Sequence, residues 1–117
     1  MGFGAWALGG GWGEQSDRDS AAALQRFLAL GGNFIDTAQV YGDGRSERLI
    51  AAALAGGRSG QDPIYVATKI PPKNGKWPGS ADNHLTEVFP ADHIKASTER
   101  SLEHLGVDCI DLQQFHV

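Results

Sequence analysis

A unit of strand, turn and amphipathic helix recurs along the chain, and each helix pattern stops at a glycine. The predicted strands are "GFGAWALGG" (2–10), "NFID" (33–36), "PIYVATK" (63–69) and "CIDLQQFHV" (109–117). The predicted helices begin at Ser16 or Asp17, at Ser46 and at Asp92, and stop at Gly31, Gly56 and Gly106. Strands that alternate with helices of this length predict right-handed crossovers and a parallel sheet, so the chain is expected to be an α/β protein.

Each predicted helix has one apolar face, which is expected to pack on the sheet. The residues of these faces are Leu24, Phe27 and Leu28 in the first helix, Leu49, Ile50, Ala53 and Leu54 in the second, and Ile94, Leu102 and Leu105 in the third. Two architectures fit the pattern: an open doubly wound sheet and the first half of a (β/α)8 barrel. A doubly wound dinucleotide fold favours a G-x-G-x-x-G turn after the first strand, and "GFGAWALGGGWG" contains none in any register.

Composition excludes several classes of function. The net charge is −4 and the basic residues are scattered, so nucleic acid is not an expected partner. The chain shows no signal peptide, membrane segment or lipidation motif, and a cytoplasmic location is the default expectation. Cys109 is predicted to be a buried structural thiol.

The predicted loop from Ile70 to Ala91 is unusually long, which favours a functional role, and its Trp77, Leu85, Val88 and Phe89 suggest partial packing over a site. No histidine has a neighbour at metal-ligand spacing, so no metal site is expected. The histidines of this loop and of the helix after it, His84, His93 and His104, are predicted to lie on the surface.

Four residues with acid–base chemistry lie at the carboxyl ends of the predicted strands. Asp36 ends the second strand and Tyr41 follows it, while Lys69 and His116 end the third and fourth. The ends of parallel strands meet at one edge, where α/β folds place their reactive groups. Taken singly, each residue has an ordinary structural explanation; together they favour a site.

The chemistry of these side chains suggests a role for each. Lys69 ends a mostly apolar row and needs a partner, for which Asp36 is the natural candidate. The ammonium could then be directed at the Tyr41 hydroxyl and lower the pKa of that phenol from its usual value near ~10. Tyr41 would serve as an acid, and His116 could orient a substrate oxygen.

At these residues the sequence resembles the aldo-keto reductase family. The matching stretches are "GFGAWALGG", "GGNFIDTAQVYGDGRSERLIAAAL", "VATK" and "SLEHLGVDCIDLQQFHV". The resemblance implies a (β/α)8 barrel and NADP(H)-dependent interconversion of a small carbonyl compound and its alcohol. It also implies a catalytic tetrad at Asp36, Tyr41, Lys69 and His116, with Ala5, Trp6 and Asp36 near the nicotinamide end of the cofactor. Trp6 could equally be a core aromatic residue.

A (β/α)8 barrel typically needs about 250 residues, whereas this chain has 117. We therefore expect residues 1–117 to be the N-terminal part of a single NADP-dependent oxidoreductase domain, with four strands and three helices. Such a part would have an open edge and an uncovered apolar lumen face, through which it could self-associate. The alternative function is a cofactor-sensing or regulatory subunit built on the same barrel.

Overall fold

The computed structural model describes residues 1–55 and 63–117. The strands are β1 (Gly2–Gly4), β2 (Phe34–Asp36), β3 (Tyr65–Ile70) and β4 (Leu112–Phe115). The helices are α1 (Asp17–Ala29), α2 (Arg45–Ala55), α3 (Leu85–Val88) and α4 (Ala91–Leu105), and a 3-10 turn spans Trp6–Gly9. The strands form one parallel sheet in the order β1-β2-β3-β4. This sequential order confirms the predicted partial barrel, because a doubly wound sheet reverses direction at a switch point.

Local signals explain where the helices begin and end. The Ser16 hydroxyl accepts the Asp19 amide at 3.1 Å, so Ser16 is the N-cap of α1. Gly31 and Gly106 follow α1 and α4 in left-handed conformations, with φ of 80° and 64°, as the sequence predicts for their stops. The predicted stop at Gly56 lies outside the described residues.

The core lies between the sheet and the helices. Its buried apolar residues are Ala5, Leu8, Leu24, Phe27, Ile35, Ile50, Val66 and Leu105. The opposite face of the sheet, which would face the lumen of a barrel, leaves Phe34, Tyr65 and Leu112 exposed by 36%, 45% and 45%. The helix side of β2 and β3 is therefore packed, while the lumen side leaves these three large side chains in contact with water.

Several boundaries differ from the prediction. The first strand ends at Gly4, since the chain then bends into the 3-10 turn, and the fourth begins at Leu112. The second helix begins one residue before Ser46, so Ser46 is not its cap. The long loop contains the additional short helix α3, in which Leu85 is exposed, while Phe89 directly after it is buried.

Two burial predictions are wrong. Cys109 is exposed, because it lies in the turn before β4 and not in the strand. His104 is not a surface residue: its side chain is 16% exposed and contacts the buried Glu47.

The buried face of α4 also differs from the predicted one, since Leu105 is buried whereas Ile94 and Leu102 are only partly so. Among residues 1–55 and 63–117, no helix combines the length and apolar character needed to cross a membrane.

Candidate active site

Asp36 and Lys69 form an ion pair at the carboxyl ends of β2 and β3. The Lys69 Nζ lies 2.9 and 2.8 Å from the two carboxylate oxygens of Asp36. The same ammonium donates to the Thr37 carbonyl at 2.8 Å. Because the Lys69 side chain is 15% exposed, this set of acceptors compensates for most of its lost hydration.

Tyr41 lies beside this pair, at the turn between β2 and α2. The Lys69 Nζ is 5.5 Å from the centroid of the phenol ring, within the range of a cation–π interaction. Within the described residues Lys69 makes no hydrogen bond to the Tyr41 hydroxyl, because its donors are directed at Asp36 and Thr37. In this arrangement the ammonium therefore faces the phenol ring without bonding to its hydroxyl.

His116 completes the group from the end of β4. Its ring lies edge-on to Tyr41 with 5.9 Å between centroids, and its buried Nδ1 has no partner among the described residues. Burial lowers the pKa of His116 below its usual value, and the positive charge of Lys69 lowers this pKa further, against a smaller opposing effect of Asp36. A lowered pKa keeps the imidazole neutral at neutral pH.

Trp77, which lies in the long loop, contacts His116. The indole Nε1 donates to the His116 carbonyl at 3.0 Å, and the two ring centroids are 5.4 Å apart. Trp77 remains 43% exposed, so one part of the ring is held while another faces the site. The predicted packing of this loop over a site is present at Trp77.

A cavity of about 410 Å³ opens over the Tyr41 and His116 side chains. Its lining residues are Trp6, Gly9, Gly11, Val40, Tyr41, Gly42, Trp77 and His116. The aromatic rings make most of the wall apolar, and Tyr41 and His116 supply hydrogen-bonding groups. Such a lining suits a small, largely apolar molecule with a polar group.

Two of the predicted cofactor-contact residues, Trp6 and Ala5, differ in exposure. Trp6 is 56% exposed and faces Tyr41 in a stacked arrangement with 6.3 Å between centroids, so the core alternative for Trp6 is wrong. Ala5 is fully buried, its amide donates to the Asp36 carbonyl and its own carbonyl accepts the Ser46 hydroxyl. These contacts leave Ala5 no surface for a ligand, because its neighbours already cover it; it supports the turn that presents Trp6.

The turns after β1 and β2 approach each other closely at two glycines. A Cβ atom at Gly9 would lie 2.6 Å from the Tyr41 carbonyl carbon, and one at Gly42 would lie 2.6 Å from the Gly9 carbonyl oxygen. Gly42 also has φ of 65°, a conformation that disfavours side chains. Both positions therefore require glycine if Tyr41 is to keep its place.

The sequence interpretation missed a group of buried polar residues behind Tyr41. Glu47 is fully buried and Gln39 is 4% exposed, and both contact α4. The only available signal was the position of Glu47 inside the "NFIDTAQVYGDGRSE" stretch. This signal was easily missed, because an acid in the first turn of a helix is usually explained by the helix dipole. Among the described residues no group of three or more His, Cys, Asp or Glu side chains could hold a metal ion.

The aldo/keto reductase family model matches residues 1–117. The chain belongs to the aldo/keto reductase family. It is 31% identical over 116 residues to an L-galactose dehydrogenase of Arabidopsis thaliana, and the match covers 99% of this chain and 33% of that protein. The chain thus spans about a third of the length of this curated relative.

Two further relatives bear on function. A probable voltage-gated potassium channel subunit beta of A. thaliana is 32% identical over 119 residues, covering 99% of this chain and 33% of the relative. The solved structure of an aldo/keto reductase from Klebsiella pneumoniae in complex with NADP and acetate superimposes with a TM-score of 0.70 at 27% identity. That superposition covers 98% of this chain and 34% of the structure. The proteins to which this chain is similar therefore include a reductase solved with NADP and a probable channel subunit.

Proposed function

We propose that the chain carries the proton-transfer site of an NADP(H)-dependent oxidoreductase that interconverts an aldehyde or ketone and its alcohol. In this proposal residues 1–117 are the N-terminal part of a single domain. The supporting observation is the Asp36–Lys69 pair beside Tyr41, opposite a neutral His116, at the rim of an apolar cavity. A positive charge, a phenol and a neutral imidazole at one strand edge can transfer and direct a proton.

Tyr41 is the proposed general acid and base. When the phenol gives its proton to a carbonyl oxygen, negative charge develops on the Tyr41 oxygen. The nearby Lys69 ammonium stabilises this charge, and Asp36 holds the ammonium in place. Reduction requires a proton for the carbonyl oxygen and a hydride for the carbonyl carbon.

His116 is the proposed residue that orients the substrate. A neutral imidazole has one N–H donor, and its other nitrogen can accept a hydrogen bond. With Trp77 holding the backbone of His116, the ring can direct a hydrogen bond at the substrate oxygen next to Tyr41. The apolar walls favour a hydrophobic or aromatic carbonyl compound.

The residues present fit the nicotinamide end of NADP(H). The exposed Trp6 ring offers a flat apolar surface, and the Asp36 side chain keeps 41% of its surface exposed beside the pair. Trp6 and Asp36 are therefore the residues that we expect to contact the cofactor, which when bound supplies the hydride.

The test follows NADPH absorbance with a reactive aldehyde, in parallel with NADH, for this chain and for any longer reading frame that contains it. We expect turnover in the form that completes the barrel, and a loss of about 100-fold or more in kcat on Tyr41→Phe, because general acid catalysis is removed.

Tyr65→Phe is the matched control, because Tyr65 is the other tyrosine of the chain. It lies on the open face at the start of β3, at the opposite end of the strand from Lys69. Equal kcat values for Tyr41→Phe and the unsubstituted protein would refute the proposed acid.

The relative described as a channel subunit favours a second candidate, a regulatory subunit that binds cofactor without efficient catalysis. Quenching of tryptophan fluorescence by NADPH, without carbonyl reduction across a broad substrate panel, would support this candidate. Self-association through the open sheet is a further proposal, since the lumen face leaves large apolar side chains in contact with water.

A further inference from the structure

The helix α4 presents a row of buried polar residues to the segment that carries Tyr41. Ser97, Ser101 and His104 are spaced by four and three positions, so they lie on one face of the helix. This face meets the side chains of Gln39 and Glu47. We call these five residues the polar seam.

Glu47 has the most demanding position in the polar seam. It is fully buried, its Oε1 accepts the Thr68 hydroxyl at 2.7 Å, and its Oε2 lies 2.9 Å from the His104 Nδ1. A buried carboxylate is unfavourable unless its oxygens are bonded, and an apolar side chain would fill this space with less desolvation. An acid at this position therefore suggests a requirement for geometry in addition to packing.

Gln39 makes the second link. Its Nε2 donates to the Ser97 carbonyl at 2.9 Å and lies 3.4 Å from the Ser101 hydroxyl. The backbone carbonyl of Gln39 accepts a hydrogen bond from the Gly44 backbone amide at 2.8 Å, which closes the turn around Tyr41. Gln39 and Glu47 thus attach the segment to α4 on both sides of Tyr41.

Thr68 connects the polar seam to Lys69. The two residues are neighbours in β3, and side chains of successive strand residues point to opposite faces of a sheet. Glu47 therefore holds the strand from behind, while Lys69 points to the front beside Tyr41. One carboxylate links the helix after Tyr41 to the strand of Lys69.

We propose that Glu47 is a positioning residue, which with His104 and Thr68 sets the distance between the Lys69 ammonium and the Tyr41 phenol. This inference rests on the proposed function for its catalytic meaning. Its physical content is the relative placement of two side chains. A misplacement of about 1 Å can lower catalysis about 100-fold in an enzyme.

The experiment measures that placement directly by NMR in the 117-residue chain. Protons above an aromatic ring are shifted upfield, so the Lys69 ε-protons report their position over Tyr41. Thr68→Val removes only the hydroxyl that Glu47 binds. We expect it to abolish most of the upfield shift and Thr68→Ser to retain the shift.

Ser20→Ala is the matched control, because Ser20 is a buried hydroxyl without a partner among the described residues. It should leave the Lys69 shift unchanged. If Thr68→Val lowers the melting temperature but keeps the Lys69 shift, Glu47 is only a structural residue and the proposal is wrong. If Thr68→Val does not fold, Glu47→Met replaces it, because it fills a similar volume without either oxygen, and retention of the full shift again refutes the proposal.

The measurement needs neither cofactor nor substrate. If no form that completes the barrel shows turnover, while the Lys69 shift is present and is lost in Thr68→Val, the proposed function is refuted and the positioning role is supported. Turnover together with an unchanged shift in Thr68→Val would support the proposed function and refute the positioning role.

Discussion

The two faces of the sheet differ in how much of their side-chain surface is exposed to water. On the helix side, Ile35 is fully buried and Val66 is 5% exposed, whereas on the lumen side Tyr65 and Leu112 are each 45% exposed. Adjacent residues of one strand thus have opposite surroundings. The helix face supports the fold, while the four proposed site residues lie on the rim of a face that the described residues leave open.

The difference bears on the proposed site, because β3 connects the two faces. Lys69 points toward the open face, yet the neighbouring Thr68 is bonded to the buried Glu47 behind the sheet. Substitutions on the two faces should therefore separate stability from self-association and from chemistry.

The largest effect is expected on the packed face. Ile35→Ala should lower the free energy of unfolding by about 2–5 kcal/mol, because it removes apolar contacts and leaves a cavity. Leu112→Ala, the matched aliphatic truncation on the open face, should lower it by no more than about 1 kcal/mol. Urea denaturation measures both values, and equal losses would contradict the contrast between the faces.

The next effect concerns the ion pair at the rim. Lys69→Met should lower the free energy of unfolding by about 1–3 kcal/mol, because it removes charge-assisted hydrogen bonds to Asp36 and Thr37. The control is Lys73→Met: the Lys73 Nζ lies 3.6 Å from the Asp92 carboxylate, both side chains are exposed, and the loss should stay within about 1 kcal/mol. The same denaturation experiment would refute the contrast if the two lysines proved equivalent.

A smaller effect is expected in association. Leu112→Ser should weaken any self-association through the open face by about tenfold, because an interface there would lose about 1.5 kcal/mol or more of buried apolar side chain. Sedimentation velocity over a range of concentrations measures this dissociation constant. Oligomers that are insensitive to Leu112→Ser would locate the contact elsewhere.

The smallest effect is a pH dependence of stability from His116. Its pKa is lowered in the folded chain, so between that pKa and 6.5 the unfolded chain binds more protons than the folded chain. This contribution is fully present above pH 6.5 and is lost as the pH falls through the folded pKa. His116→Gln should flatten the fall in melting temperature below pH 6.5; an identical pH profile would argue against a depressed pKa.

The sequence predicted much of this arrangement because parallel strands align their carboxyl ends. The periodic helices follow from spacing, and the Asp36–Lys69 contact follows from the alignment of the strand ends and the cost of burying an unpaired lysine. Spacing left the strand order open between a doubly wound sheet and a partial barrel. Spacing does not identify which helix a polar side chain will meet, so the contacts of Glu47 and Gln39 with α4 were missed. Cys109 was misassigned because β-branched neighbours favoured a strand where the chain forms a turn.

The close approach of Gly9 and Gly42 has a consequence for redesigning this scaffold. Directed evolution often varies active-site turns one at a time, on the assumption that each tolerates change independently. Here a side chain at either glycine would collide with the backbone of the other turn. Libraries that aim at new substrates should therefore hold both glycines constant and place diversity at Val40, an exposed residue of the cavity wall.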